Sequence, residues 1–400
     1  MKNDKKKILI LGASILQLPG IEKAKEMGLE VFVADMNPEA VGFDICDNKL
    51  VISTIDIPEI FKVAKENEID AIITLASDLP MRTVATVSKE MALVGISEDT
   101  ALKATNKAMM RECLKENGVP VPAFFKVSSE DEYKKAIKKF KSSFVVKPAD
   151  SSGSRGIYLV NDINDEKLIN DVYTYSKQFS RCGDVIVEEF MNGSEVSVET
   201  LSIDGEVTVL QITDKLTTGA PYFVEMGHSQ PSRHSAEICE EISRVAKAAV
   251  KAVGIENGPS HTEIMVTEEG PKIVEIGARM GGDCITTHLV PLSTGIDMVK
   301  CTILIALGEK PELVSQYCKG SAIRYFNVAQ GVIKSIEGVT DAEKIDGVKQ
   351  ISIVRGVGET VTEINSSSAR VGFVIAQGET AEEAVEICEK ALEKITITVE

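Results

Sequence analysis

The sequence predicts a multidomain chain in which an α/β unit precedes α+β units, and three observations lead there. Four hundred residues with 44% hydrophobic content amount to several ordinary domains and are too apolar for a disordered polymer. The first hundred residues alternate strand and helix signals at short spacing, the pattern of a parallel sheet wound by right-handed crossovers. From residue 101 to about 305, hairpin turns replace the crossovers, as antiparallel sheet requires.

In chain order, KKILILGAS reads as a strand, IEKAKEMG as a helix, LEVFVAD as a strand, PEIFKVAKENE as a helix, AIITLAS as a strand and MRTVATVSKEM as a helix. Gly12 to Gly20 form the first strand-to-helix turn, and Asp35 ends the second strand, where a dinucleotide-binding fold puts its ribose-binding acid. The spacing rejects that reading. GASILQLPG lacks GxGxxG and sets Ile15, Leu16 and Leu18 where a pyrophosphate needs glycine. Residues 1–100 are therefore expected to be a scaffold or substrate-side Rossmann-like domain.

Residues 100–117 predict one helix that stops at Gly118, because GVPVP prevents its continuation. A boundary near residue 100 follows. Residues 101–305 then give the strands FVVKPAD, GIYLV, DVIVEEF and SEVSVETLSIDGEVTVLQIT, a long helix over SAEICEEISRVAKAAVKAVG, and HTEIMVTEEGPKIVEIG. Turn signals at Asp204-Gly205 and Glu269-Gly270-Pro271 mark hairpins. Residues 306–400 carry short strands (SAIRYFNVAQG, VKQISIVRG, RVGFVIAQG) and a last helix, TAEEAVEICEKALEKI, and predict a small β-rich domain.

Charge and composition exclude more than they name. Sixty-one acidic against 44 basic residues give a net charge of −17, the opposite of a nucleic-acid-binding surface. No tryptophan and only 5% aromatics leave few stacking platforms for single strands. No window reaches the ~18 apolar residues of a membrane span, and the amino terminus shows no cleavage-site pattern. The eight cysteines are scattered with no CxxC pair, which reads as reduced thiols of a cytoplasmic protein.

Chemistry concentrates in the middle section. Lys147 ends an apolar strand and is followed by a small-residue loop, Ser151-Ser152-Gly153-Ser154-Arg155-Gly156, which can set one cation and several free N–H groups around phosphate oxygens. An ordinary glycine-rich hairpin is the competing reading. Downstream, Glu188, Glu189, Phe190 and Met191 end a strand before a turn at Asn192-Gly193, with a further acid at Glu195. Such an edge can offer backbone groups to an adenine and an acceptor to ribose hydroxyls, or be a solvated acidic hairpin. Glu263 and Glu275 fall on successive strands joined by a tight turn, so both carboxylates can converge on a divalent cation. All four histidines (228, 234, 261, 288) lie in residues 228–288. His228 is expected on a loop touching substrate, His261 as a site or plain strand residue, His234 near a helix start, and His288 in or under the pocket.

The ordered set Lys107, Lys147 with SSGSRG, EEFMNGSE, and Glu263 and Glu275 followed by Arg279 resembles the ATP-grasp superfamily of carboxylate–amine ligases over residues 1–305. The resemblance implies a nucleotide held between two subdomains. Lys107 and Lys147 would touch ATP phosphates and the loop with Ser151, Ser152, Gly153 and Ser154 would close over them. Glu188 and the Glu189 to Met191 backbone would hold adenine, Glu195 the ribose, and Glu263 and Glu275 Mg2+, with Mn2+ as a substitute. Many members read Glu-x-Asn-x-Arg, the Asn being a metal ligand. This chain reads Glu275-Ile276-Gly277-Ala278-Arg279, so a water or a bidentate Glu275 is expected in the missing position.

That departure, with residues 213–232 and 277–297, is similar to the bacterial L-amino-acid ligases, which form dipeptides. The implied reaction joins an amino-acid carboxylate to an amine through an acylphosphate, releasing ADP and phosphate. Arg279, His228 and the backbone at Gly282 would serve the reacting carbonyl. The expected partners are small-molecule substrates, with no nucleic acid or membrane, in a homo-oligomer, a dimer. Two rival readings stay open: a carboxylase or purine-pathway synthetase of the same superfamily using bicarbonate, and a nucleotide-binding regulatory protein without turnover.

Overall fold

A computed structural model describes residues 5–151, 153, 155–220 and 222–400. Strands β1 (Lys7–Leu11), β2 (Glu30–Asp35), β3 (Asn48–Val51) and β4 (Ala71–Ile73) form a parallel sheet in the order β3-β2-β1-β4. Alternation fixes its two faces. Ile8, Ile10, Val31, Val33 and Ile73 pack with Ile21 and with Met298, Val299 and Ile303 on one side. Leu9, Leu11, Phe32 and Ile72 pack with Ile60, Val84 and Val87 on the other. The first turn explains why no dinucleotide signature stands there. The Gln17 side chain crosses the turn and accepts from the Leu75 N–H at 2.9 Å. Asp35 is engaged by the N–H groups of Ala13 and Asn37 at 2.8 and 2.9 Å.

The single helix expected over 100–117 is two, Glu98–Thr105 and Lys107–Glu116. Asn106 breaks it: its backbone is extended and its side chain accepts from the N–H groups of Ala108 and Met109, a preferred N-cap arrangement. The break sets Lys107 at the first position of a new helix, and its N–H donates to the Ala149 carbonyl at 2.6 Å.

A second sheet holds β5 (Phe124–Val127), β6 (Phe144–Pro148), β7 (Tyr158–Val160) and β8 (Val185–Glu189) in the antiparallel order β5-β8-β6-β7. Helices Glu130–Ile137 and Glu166–Gln178 cover it through Tyr133, Ala136, Ile169, Val172 and Tyr173.

The third sheet is built from β9 (Ser194–Ile203), β10 (Glu206–Thr217), β11 (Glu225–Gln230), β12 (Gly258–Thr267), β13 (Gly270–Gly277) and β14 (Gly320–Tyr325). After β15 (Gly331–Glu337) it takes up β16 (Val348–Ile353) and, after β17 (Thr360–Val361), β18 (Gly372–Gly378). Its order is β13-β12-β9-β10-β11-β14-β18-β16, so it runs without a break into residues 306–400. A small sheet, β17-β15-β19, closes the chain with β19 (Thr396–Val399). Helix Ala236–Val253, capped by Ser235 and stopped by left-handed Gly254, buries Ile242, Val245, Ala249, Val250 and Val253. Each large apolar side chain so buried contributes roughly 1.5–3 kcal/mol.

Candidate active site

The second and third sheets and the carboxyl end of β4 enclose a cleft of about 1830 Å3, part of it open to solvent. Its lining includes most of the residues singled out from sequence: Lys107, Lys147, Gly153, Glu188 to Met191, Glu195, His228, Glu263, Glu275, Arg279 and Gly282. Ser151 touches the site through its carbonyl, which accepts from Lys107 Nζ at 2.7 Å. Ser152 and Ser154 lie outside the described residues.

One end is basic. Lys147, on β6, meets Glu188, on β8, at 2.5 Å. Arg111, one turn beyond Lys107 on its helix, donates to Glu188 at 2.6 and 3.3 Å and to the Val274 carbonyl at 2.6 Å. All three side chains are buried. Burial opposes the Glu188 charge, but Arg111 and Lys147 outweigh it and hold the carboxyl down at about 2. For Lys147, burial is the largest influence; with Arg111 and Lys107 it pulls the ammonium below the ordinary lysine value against Glu188. Two cations around one carboxylate leave a positive surplus facing the cleft, which suits phosphate. Glu188 thus enters the site as a counter-ion, and both its oxygens are taken; this corrects its expected role as an adenine acceptor.

The edge after β8 is also narrower than expected. The N–H groups of Glu189 and Phe190 donate to the carbonyls of Ala123 and Ser143, whereas the Met191 N–H has no acceptor among the described residues. Of the backbone donors in the segment, Met191 is the one free for an adenine edge. Val145, Leu159, Phe190, Met191 and Met265 supply apolar walls.

Acids dominate the middle. Glu263 and Glu275 stand directly opposite in the β12–β13 ladder, as the tight turn predicted. Glu275 accepts from Lys107 Nζ at 2.7 Å. Glu263 and Glu195 share Lys215 of β10, at 2.8 and 2.7 Å. Lys215 was not singled out from sequence. Burial works against its charge, yet Glu195, Glu263 and Glu225 raise it well above an ordinary lysine. Burial, reinforced by Glu263, lifts Glu195 above the usual carboxylate value. His261 lines the cleft: Nδ1 meets Glu199 at 2.7 Å and Nε2 meets Glu263 at 3.5 Å. Burial disfavours its charge, but the two acids push it up to about 9. The turn at Gly281 packs on this pair, since a Cβ there would sit 2.7 Å from His261 Nδ1.

Two hard-oxygen carboxylates facing the phosphate end, each held by a lysine, fit a Mg2+ ion that takes its remaining ligands from phosphate and water. Among the described residues no group of three or more His, Cys, Asp or Glu forms a metal site on its own.

The far end is built around Arg279. Asp78, just past β4, binds it through two bonds, Nε–Oδ1 2.7 Å and Nη2–Oδ2 3.1 Å. His228 is not on a loop: it is buried in β11, paired with β10 and β14, and its Nε2 lies 3.4 Å from Asp283. Asp283 is gripped by Arg370, from residues 306–400, at 2.6 and 2.7 Å, and Arg370 lies over the Tyr325 ring at 3.8 Å. Asp283 and Cys284 both hold positive φ (50° and 61°), conformations that non-glycine residues keep where the surroundings enforce them. His234 bonds Ser194 at 2.9 Å and His288 bonds Thr287 at 2.8 Å, both away from the cleft lining.

Known proteins share this architecture. The ATP-grasp domain family matches residues 140–287, and the L-amino acid ligase C-terminal domain 2 matches residues 324–400. The L-arginine-specific L-amino acid ligase of Bacillus subtilis is 28% identical, covering 71% of this chain and 70% of its own length. Phosphoribosylamine–glycine ligase of Caldanaerobacter subterraneus subsp. tengcongensis is 26% identical over 86% of each chain. In fold, the L-amino acid ligase of Bacillus licheniformis superposes with a TM-score of 0.85 over 99% of each chain at 23% identity. The chain carries an ATP-grasp domain over residues 140–287, followed over residues 324–400 by a C-terminal domain of the L-amino acid ligase type.

Proposed function

We propose that the protein is an ATP-dependent ligase that joins the carboxylate of one amino acid to the amine of another. The observation that carries this reading is one cleft with a basic end (Lys107 and Lys147, with Arg111 buried behind Glu188), opposed carboxylates (Glu263, Glu275) and, beyond them, Arg279 beside the Gly281-Gly282 turn. A substrate carboxylate oxygen attacks the γ-phosphorus of ATP, the bond to the ADP oxygen breaks, and an acylphosphate forms. The amine nitrogen then attacks the acyl carbon, losing a proton, and phosphate leaves. Lys107 and Lys147 hold phosphate charge, Met191 N–H and the apolar walls seat adenine, and Glu195 faces the ribose. Arg279, with the N–H of Gly282, meets the oxyanion, and His228 lies where a substrate carboxylate would end. Mg2+, or Mn2+, held by Glu263 and Glu275, would neutralise charge on the phosphates. Ser151 and Gly153 belong to the loop that would cover the acylphosphate against water.

The match of residues 324–400 to an L-amino acid ligase domain supports amino acids over bicarbonate or a ribonucleotide. A cytoplasmic setting fits the eight unpaired thiols. A homodimer belongs to the same reading. Ile15, Leu16, Met36 and Ile55 leave exposed apolar side chains past the carboxyl ends of β1, β2 and β3 for a second copy to cover, and light scattering should give twice 43.3 kDa. Coupled assay of ADP release from MgATP, with each amino acid, bicarbonate and glycine plus phosphoribosylamine, tests the substrate class. Amino-acid-dependent release with a dipeptide detected by mass spectrometry is the expected result; release with bicarbonate or phosphoribosylamine alone would overturn it.

A further inference from the structure

The Asp78–Arg279 pair joins two segments far apart in sequence. Asp78 stands past β4, just ahead of helix Met81–Glu90, and both of its oxygens face Arg279, at 2.7 and 3.1 Å. The two segments are also tied through their backbones: the Met280 N–H donates to the Leu75 carbonyl at 3.0 Å. Arg279 Nη1 donates to the Met280 carbonyl at 3.0 Å. A planar fork with one edge bonded twice and one corner bonded once has little rotational freedom, so its remaining N–H groups point in a fixed direction. The neighbouring glycine bears on the same pair. A Cβ at Gly277 would lie 3.2 Å from Asp78 Oδ1 and 3.3 and 3.4 Å from Arg279 Cγ and Cζ. A side chain at this position therefore presses on the pair and asks it to give way. Gly277 has no left-handed backbone, so space and not conformation is what asks for glycine.

We propose that Asp78 is the positioning residue of Arg279, and that position 277 carries glycine because the Asp78–Arg279 pair fills the space beside it. The proposal rests on the reading of Arg279 as the group that meets the oxyanion. It differs from the expectation that water or a second Glu275 oxygen replaces the missing Asn: the neighbouring volume belongs to a carboxylate from the first sheet's unit. Asp78 therefore acts on the reaction through Arg279 without touching nucleotide.

Four variants test this: D78A, D78N, G277N and D78A/G277N. The probes are MgADP for binding and MgATP with an equimolar mixture of the proteinogenic amino acids for turnover. Calorimetry should give MgADP affinity within twofold of the parent for each. In turnover, D78A and G277N should each lower kcat about thirtyfold at unchanged KM for ATP, as loss of a preorganised geometry does. D78N should fall between. Because both changes release the same guanidinium, the double variant should be no more than twofold slower than D78A. Crystals of D78A and of G277N with MgADP should show the Arg279 guanidinium displaced. If D78A does not fold by thermal melting, D78N carries both measurements.

The proposal is overturned if kcat of D78N or D78A stays within twofold of the parent. It is equally overturned if the two losses multiply, if MgADP binding is lost, or if Arg279 is unmoved in both crystals. A parent protein that releases no ADP with any amino acid would sink the ligase reading alone; the position of Arg279 in the crystals then decides the proposal.

Discussion

Replacing Glu188 by glutamine removes the carboxylate that lies between Arg111 and Lys147, and the cost can be worked from its surroundings. Its carboxyl is lowered from 4.5 to about 2, and at ~1.4 kcal/mol per tenfold in proton affinity that is about 3 kcal/mol of folding stability. Breaking a buried ion pair costs about 3–5 kcal/mol. The low end applies here, because burial already pulls Lys147 below the ordinary lysine value. The pH dependence has a definite sign. A carboxyl that titrates lower in the folded chain than in the unfolded one contributes fully above about pH 4.5, and its contribution fades as pH falls toward 2. Urea unfolding of parent and E188Q should therefore differ by about 3 kcal/mol at pH 7 and by about 2 kcal/mol at pH 3.5. A gap under about 1 kcal/mol at pH 7, or one that does not shrink at pH 3.5, would refute the reasoning.

Lys147→Ala should weaken MgATP binding by tenfold or more on the order of a lost charge-assisted contact, and unchanged affinity by calorimetry would remove Lys147 from the phosphate end. Glu275→Gln should abolish turnover in a chain that still folds, since it deletes half the metal-binding charge, with a lowered melting temperature because Lys107 loses its carboxylate partner; activity at ordinary Mg2+ would contradict the assignment. Arg279→Lys should lower kcat and kcat/KM together by about a hundredfold with ATP still bound; a raised KM for ATP at unchanged kcat would place Arg279 in nucleotide binding. Asn106→Ala should cost about 1 kcal/mol as a lost N-cap and weaken MgATP binding through Lys107, the first residue of the helix it starts; a change in stability without any change in affinity would separate the cap from the site.

Much of the site was legible because its residues sit beside local signals. Lys147 ends an apolar strand before a small-residue loop, and a tight turn put Glu263 opposite Glu275, so short-range pattern sufficed. Arg111 was missed although its i,i+4 spacing from Lys107 puts both on one helix face, a signal the sequence does carry. The break at Asn106 was overlooked because helical periodicity continues through it, and a capping side chain outweighs that pattern. Lys215, Asp78 and Arg370 are a different matter. Lys215 and Asp78 line the cleft and Arg370 grips Asp283 behind its wall, each through a pairing that no short window reveals: β10 beside both β9 and β11, β4 beside Arg279, and the β14–β18 end of the long sheet folded back onto Asp283. Gly227 and Pro231 flank His228 and favour a loop there, yet pairing with β10 and β14 on both sides makes that segment a strand. Turn-forming neighbours are a weaker constraint than two ladders of backbone hydrogen bonds.

The central claim is that an amino-acid carboxylate is activated as an acylphosphate and captured by an amine. Amino acids labelled with 18O in the carboxylate, incubated with MgATP and the intact protein, test it most directly. An acylphosphate requires one labelled oxygen to leave with the phosphate as the amide forms, so mass spectrometry should find 18O in the released phosphate in step with dipeptide and ADP. Phosphate that carries no label while ADP accumulates would mean that water, not a carboxylate, attacks ATP, and would contradict the account.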